Sequence, residues 1–184
     1  MKTKAILASL ALLGTACVLV AQDGLHLPVG ADAPGFSGTA TDGKEYSLKS
    51  LTAEKPAFVV FWKNPCPHNP RAAALLNAIN KAYDGKAQLI GIVNSPEDGT
   101  KKFVEQFSLN FPHLSDPDKA TIKAYALRFS ITIMEIGKDG KIAKVFPGYG
   151  KDAMTALNEA MAKAAGMSVA DVDLSAAPGR ATWG

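Results

Sequence analysis

Two unbroken apolar runs anchor the pattern of the chain: Ala57 to Trp62, and Leu89-Ile90-Gly91-Ile92-Val93. Runs of this length without polar alternation suit strands buried on both faces of a parallel or mixed sheet. Between them Ala72, Leu75, Leu76, Ile79 and Tyr83 recur at helical spacing and predict a helix over 70–84. Phe103, Val104 and Phe107 mark a second helix, with Ser95 as its cap and Pro96 at the first helical position. Asp116-Pro117 opens a third, short helix through Tyr125 in the same way. Ser130 to Ile136 reads as a strand, Lys138-Asp139-Gly140-Lys141 as a turn, and Ile142 to Phe146 as the strand that pairs back. Met154, Leu157 and Met161 give a last amphipathic helix that stops near Gly166. Upstream, Asp42-Gly43 turns a hairpin in which Tyr46 and Leu48 alternate with polar residues. This order predicts an α/β domain: a mixed central sheet, helices on both faces and an N-terminal β-hairpin.

Composition changes the picture at the ends. Lys2 and Lys4 precede Ala5 to Ala21, a stretch without charge that is shorter than the roughly 20 apolar residues of a spanning helix. Residues 1–21 therefore read as a signal peptide, the rival being an uncleaved anchor. Gly14 and the apolar residues after Cys17 argue against a lipoprotein signal. Residues 22–31 follow as a linker, 32–166 as the domain, and 167–184, which lacks periodicity, as an extended or disordered tail. Removing Lys2 and Lys4 from the 20 basic residues leaves 18 against 17 acidic ones, about +1. With no basic block, nucleic acid is excluded as a partner. The expected location is periplasmic or extracellular, with no membrane contact after cleavage.

Export alters the cysteine arithmetic, because loss of Cys17 leaves Cys66 with no partner in its own chain. Cys66 lies in Lys63-Asn64-Pro65-Cys66-Pro67-His68-Asn69-Pro70-Arg71, between the first apolar strand and the first helix. A thiol near a helix N-terminus is favoured as thiolate, and His68, Lys63 and Arg71 could each add to that. A thiolate attacks a disulfide or is oxidised to sulfenic acid. Asn69 cannot resolve either product, so turnover requires an outside thiol. The bland alternative keeps Cys66 as a small buried filler. Asn69 as N-cap with Pro70 at the first helical position would place Cys66 in the preceding loop. Trp62 reads as core at the strand end and Arg128 as an exposed strand-edge residue. A copper site built from Cys66, His68, His113 and Met134 is a further alternative, since soft ligands suit Cu(I). It requires His113 to approach Cys66. No cofactor is otherwise indicated.

Several segments resemble one family. Val29-Gly30-Ala31-Asp32-Ala33-Pro34-Gly35-Phe36, Asp42-Gly43-Lys44 with Ser47-Leu48, Phe61-Trp62 ahead of Cys66, Tyr125-Ala126-Leu127-Arg128 and Lys138-Asp139-Gly140-Lys141-Ile142 follow in order over residues 28–166. Together they resemble the thioredoxin superfamily, in its exported redoxin branch of AhpC/TSA and TlpA-like proteins. The resemblance implies a thioredoxin-like fold, with Cys66 as the attacking residue and Asn69 in the resolving position. Cys66-Pro67-His68 also resembles the start of the Cys-Pro-His-Cys motif of periplasmic disulfide oxidases, which implies His68 as thiolate stabiliser. It also implies a substrate groove at Trp62, Pro67, Ser130 and Ile131, with Arg128 as a possible support for peroxide. Ile131 stands where the family carries a cis-proline, and a cis bond before any other residue costs about 2.5–4 kcal/mol, so a trans backbone is expected. Val59 and Lys63 stand where peroxiredoxins carry proline and threonine. The implied activity is a one-cysteine thiol oxidoreductase or peroxidase-like protein. Its substrate would be a peroxide or disulfide, and its reductant an external thiol or thioredoxin-like protein. The alternatives are a non-catalytic thioredoxin-like binding module and a copper-binding redoxin.

Overall fold

The computed structural model describes residues 24–180 and Thr182. The predicted signal segment and Cys17 lie outside the described residues. Strands β1 (Ser37–Thr39) and β2 (Glu45–Ser47) form the hairpin, antiparallel, with Gly43 taking a positive φ of 78° in its turn. The central sheet has the order β5-β4-β3-β6-β7, built from β3 (Ala57–Trp62), β4 (Gln88–Val93), β5 (His113–Ser115), β6 (Thr132–Ile136) and β7 (Ile142–Pro147). β3, β4 and β5 run parallel, while β6 and β7 are antiparallel to their neighbours.

All six residues of β3 are buried, because its side chains alternate between two cores. Phe58, Val60 and Trp62 face α2 (Asn69–Ala82), α3 (Glu97–Gln106) and α5 (Lys151–Ala165). Ala57, Val59 and Phe61 face the layer of α1 (Leu48–Leu51), α4 (Ala120–Ala124) and the hairpin. The molecule is thus the mixed α/β sheet with helices on both faces that the apolar pattern predicts.

The starts of three helices besides α2 differ from expectation. Leu48 begins α1 instead of continuing the hairpin strand, because Ser47 and Ser50 form a reciprocal capping box there. α3 starts at Glu97 with Pro96, not Ser95, in the cap position. α4 starts at Ala120, after Lys119 in the left-handed region, and the Asp116 carboxylate reaches forward to accept from the N–H groups of Thr121 (3.1 Å) and Ile122 (3.0 Å).

The chain on either side of this unit is tied to it. Gly30 N–H donates to Ile142 O (2.8 Å), Ile142 N–H to Ala31 O (2.9 Å) and Arg128 N–H to Leu25 O (3.1 Å). After α5, which Gly166 closes in the left-handed conformation, Ala170, Val172, Leu174 and Ala177 pack on the α2/α5 core. Among the described residues no helix is long and apolar enough to cross a membrane.

Candidate functional site

β3 ends at Trp62, and residues 63–68 cross the top of the sheet before α2 begins. Three backbone groups at the start of this loop are held by side chains of the surrounding elements. Lys63 N–H donates to Ser130 Oγ (2.9 Å), and Asn64 N–H to Asn94 Oδ1 (2.6 Å). The buried Asn69 side chain donates from Nδ2 to Lys63 O (3.0 Å). The Asn64–Pro65 peptide is cis. On this frame Cys66 is partly exposed, flanked by exposed Pro65 and Pro67, and it is the free cysteine of the described residues.

The start of α2 differs by one residue from the capping expectation. His68 is the N-cap and makes no side-chain cap bond, and Asn69 is the first helical residue. Asn69 does not cap because its amide turns inward to Lys63 O, leaving Oδ1 buried without a partner. Asn69 N–H donates to Cys66 O (3.2 Å) and Pro70 has no N–H, so the helix start offers the thiol fewer amide donors than the position suggests. Lys63 directs its ammonium to the Arg128 carbonyl, and the Arg128 side chain is exposed.

His68, half-buried, has Nδ1 at 3.0 Å from the hydroxyl of Tyr149, the rings 5.7 Å apart. Tyr149 is buried. Burial raises its pKa above the ordinary phenol value; the positive charge of Arg71 opposes this and Cys66 adds to it. Sequence reasoning missed Tyr149. Its only signal is an aromatic residue set between two glycines, Gly148 and Gly150, just past the last strand.

The groove residues separate by burial. Pro67 is exposed, whereas Trp62, Ser130 and Ile131 are buried and form the floor of the site instead of its surface. The Ser130–Ile131 peptide is cis, contrary to the expectation of a trans bond. Both of its residues are held from outside: Ser130 Oγ accepts from Lys63 N–H, and Ile131 O accepts from Gly148 N–H (2.8 Å).

The copper set is not assembled. His113 is buried, its Nδ1–H donates to Phe111 O (2.8 Å), and its ring stacks on Phe111 at 4.5 Å. Met134 belongs to the core on the opposite face of the sheet from Trp62. Among the described residues no three His, Cys, Asp or Glu side chains are grouped to hold a metal.

This arrangement, a five-stranded mixed sheet with helices on both faces and a thiol at the junction of the central strand and the following helix, is that of a thioredoxin-fold redoxin. The AhpC/TSA family model matches residues 29–145, and the chain belongs to that family. It is 30% identical over 122 residues to the thiol-disulfide oxidoreductase ResA of Geobacillus thermodenitrificans, which spans 65% of this chain and 70% of the relative. Among solved structures it resembles the thioredoxin domain of a thiol-disulfide oxidoreductase from Bacteroides vulgatus (TM-score 0.60, 22% identity, 72% of this chain and 97% of that one). It also resembles a thiol:disulfide interchange protein from Bacteroides sp. (TM-score 0.61, 22% identity, 72% and 89%). At those identities the two structures establish the fold.

Proposed function

We propose that this chain is an exported one-cysteine thiol–disulfide oxidoreductase in which Cys66 is the nucleophile. The Cys66 thiolate attacks one sulfur of a disulfide. A bond forms between the two sulfurs, and the broken disulfide's electron pair leaves on its other sulfur as a thiolate. Asn69 carries no sulfur to resolve the mixed disulfide. An external thiolate then attacks the substrate sulfur and releases Cys66 as thiolate, so the external thiol leaves joined to the substrate fragment. His68 is the group beside Cys66 that can carry the compensating charge.

The observation that carries this reading is the partly exposed Cys66 at the β3–α2 junction, two residues from His68. Similarity to thiol-disulfide oxidoreductases supports a disulfide substrate over a peroxide. Val59 and Lys63 at the peroxiredoxin positions support it too: Val59 is buried and apolar, and Lys63 is tied to the Arg128 carbonyl. The uncharged stretch Ala5 to Ala21 after Lys2 and Lys4 supports export.

The test is the rate of Cys66 alkylation against pH, with mass-spectrometric trapping of the mixed disulfide formed with glutathione disulfide. The expected result is alkylation at neutral pH that is slower in His68→Ala than in wild type, and an adduct absent from Cys66→Ser. A midpoint at or above about 8.5, unmoved in His68→Ala, overturns the redox reading and leaves a binding scaffold. Oxidation to sulfenic acid by hydrogen peroxide that outruns glutathione disulfide overturns the choice of substrate.

A further inference from the structure

Tyr149 lies outside every motif that marks the family resemblance, yet its backbone is fixed on three sides. Gly148 N–H donates to Ile131 O (2.8 Å), Tyr149 N–H to Thr182 O (3.2 Å) and Lys151 N–H to Pro178 O (2.8 Å). Gly148 is required here, since its φ is 70° and a Cβ would fall 2.3 Å from the Thr182 carbonyl oxygen. The ring is 2% exposed, so it has little freedom to swing away from His68. His68, by contrast, makes no cap bond and is half-buried, and the phenol hydroxyl 3.0 Å from Nδ1 is what restrains its ring.

We infer that Tyr149 is a positioning residue of the Cys66 site: its hydroxyl donates to His68 Nδ1 and leaves the imidazole proton on Nε2. The inference rests on the reading of Cys66 as nucleophile. A phenol is the stronger donor of the pair and an imidazole nitrogen the stronger acceptor, so the neutral ring takes its proton on the nitrogen facing away from Tyr149. When His68 becomes imidazolium, Nδ1–H donates back to the phenol oxygen, because a hydroxyl both donates and accepts. The contact therefore survives both charge states and holds one ring orientation while charge moves between Cys66 and His68. The charged and titratable groups facing Tyr149 are Arg71 of α2 and Cys66 of the preceding loop, with His68 between them in sequence.

The experiment compares wild type, His68→Ala, Tyr149→Phe and the double variant. It reads the Cys66 alkylation profile and the imidazole ¹⁵N shifts of His68, with a thermal melt to confirm folding. Wild type is expected to show the neutral His68 ring as the Nε2–H tautomer, and Tyr149→Phe a mixture of tautomers. Tyr149→Phe is expected to move the alkylation midpoint in the same direction as His68→Ala. A shift of about half a pH unit is about a threefold change in thiolate fraction. The double variant should add nothing to His68→Ala. If His68→Ala moves the profile while Tyr149→Phe changes neither profile nor tautomer, the inference is overturned and the nucleophile reading stands. If the ¹⁵N shifts respond to Tyr149→Phe but no variant moves the profile, the positioning contact stands and the nucleophile reading fails.

Discussion

The His113 ring fills space that Gly91 on the neighbouring strand leaves open: a Cβ at Gly91 would lie 2.0 Å from His113 Cδ2. Phe111 O takes the Nδ1 proton, which makes the buried, unpartnered Nε2 an acceptor. Burial pushes the His113 pKa down from 6.5 to about 4. Below pH 6.5 the unfolded chain binds a proton that the folded chain refuses, so stability is lost as pH falls from about 6.5 to about 4. The loss is at most about 3 kcal/mol. Glu135 acts in the opposite sense. Burial raises its pKa, with Lys144 and Lys163 opposing, so its contribution is lost as pH rises through the folded value. Urea unfolding at pH 7 and pH 4.5 is expected to show a smaller pH-dependent loss in His113→Phe than in wild type. Equal slopes in the two proteins would mean that His113 is not a buried neutral base.

At the scale of elements, α4 starts later than its sequence suggests, yet its first turn is held by a carboxylate from the preceding loop. Asp116 is buried and holds two N–H groups of the first turn of α4, those of Thr121 and Ile122, five and six residues downstream of it. Asp116→Ala is expected to cost about 1–2 kcal/mol, read as a lower urea midpoint at unchanged slope, with Asp116→Asn losing less. That geometry also explains what could be read in advance. β3 and β4 were legible because a continuous apolar run has one meaning when both faces are covered. α2 was legible in its body, through Leu75, Leu76 and Ile79, but not at its first residue. Asn69 is the better capping residue by type, yet the pull of the Lys63 carbonyl, which belongs to the tertiary fold, turns it inward. The start of α4 depends on Lys119 adopting the left-handed region, which a sequence favours only weakly outside glycine and asparagine. Cys66 and His68 stand out in the sequence as candidates through their place after the strand. Tyr149 does not, since its contact with His68 spans 81 positions of chain. The cis peptide at Ser130–Ile131 went against the residue type, and nothing local announces it.

Across the whole molecule, the segment after α5 joins the helical core to the site. Tyr83 accepts from Ala170 N–H (2.8 Å) and donates to Asn158 Oδ1 (2.7 Å), while Asn158 Nδ2 donates to Ala170 O (2.9 Å). This closed ring of bonds ties α2, α5 and the tail together, and the chain then runs on to meet Lys151 and Tyr149 through Pro178 and Thr182. Tyr83→Phe strands the Ala170 N–H and the Asn158 oxygen and is expected to cost about 1–3 kcal/mol. Truncation after Gly166 uncovers the apolar surface under Ala170, Val172, Leu174 and Ala177, and is expected to lower the melting temperature further. In the truncated chain the Ala170 partner is gone, so Tyr83→Phe should cost less there than in the full chain. The difference between the two penalties is the coupling carried by the tail. Equal penalties in both backgrounds would mean that Tyr83 stabilises the α2/α5 contact alone and that the tail lies on the core without being locked to it.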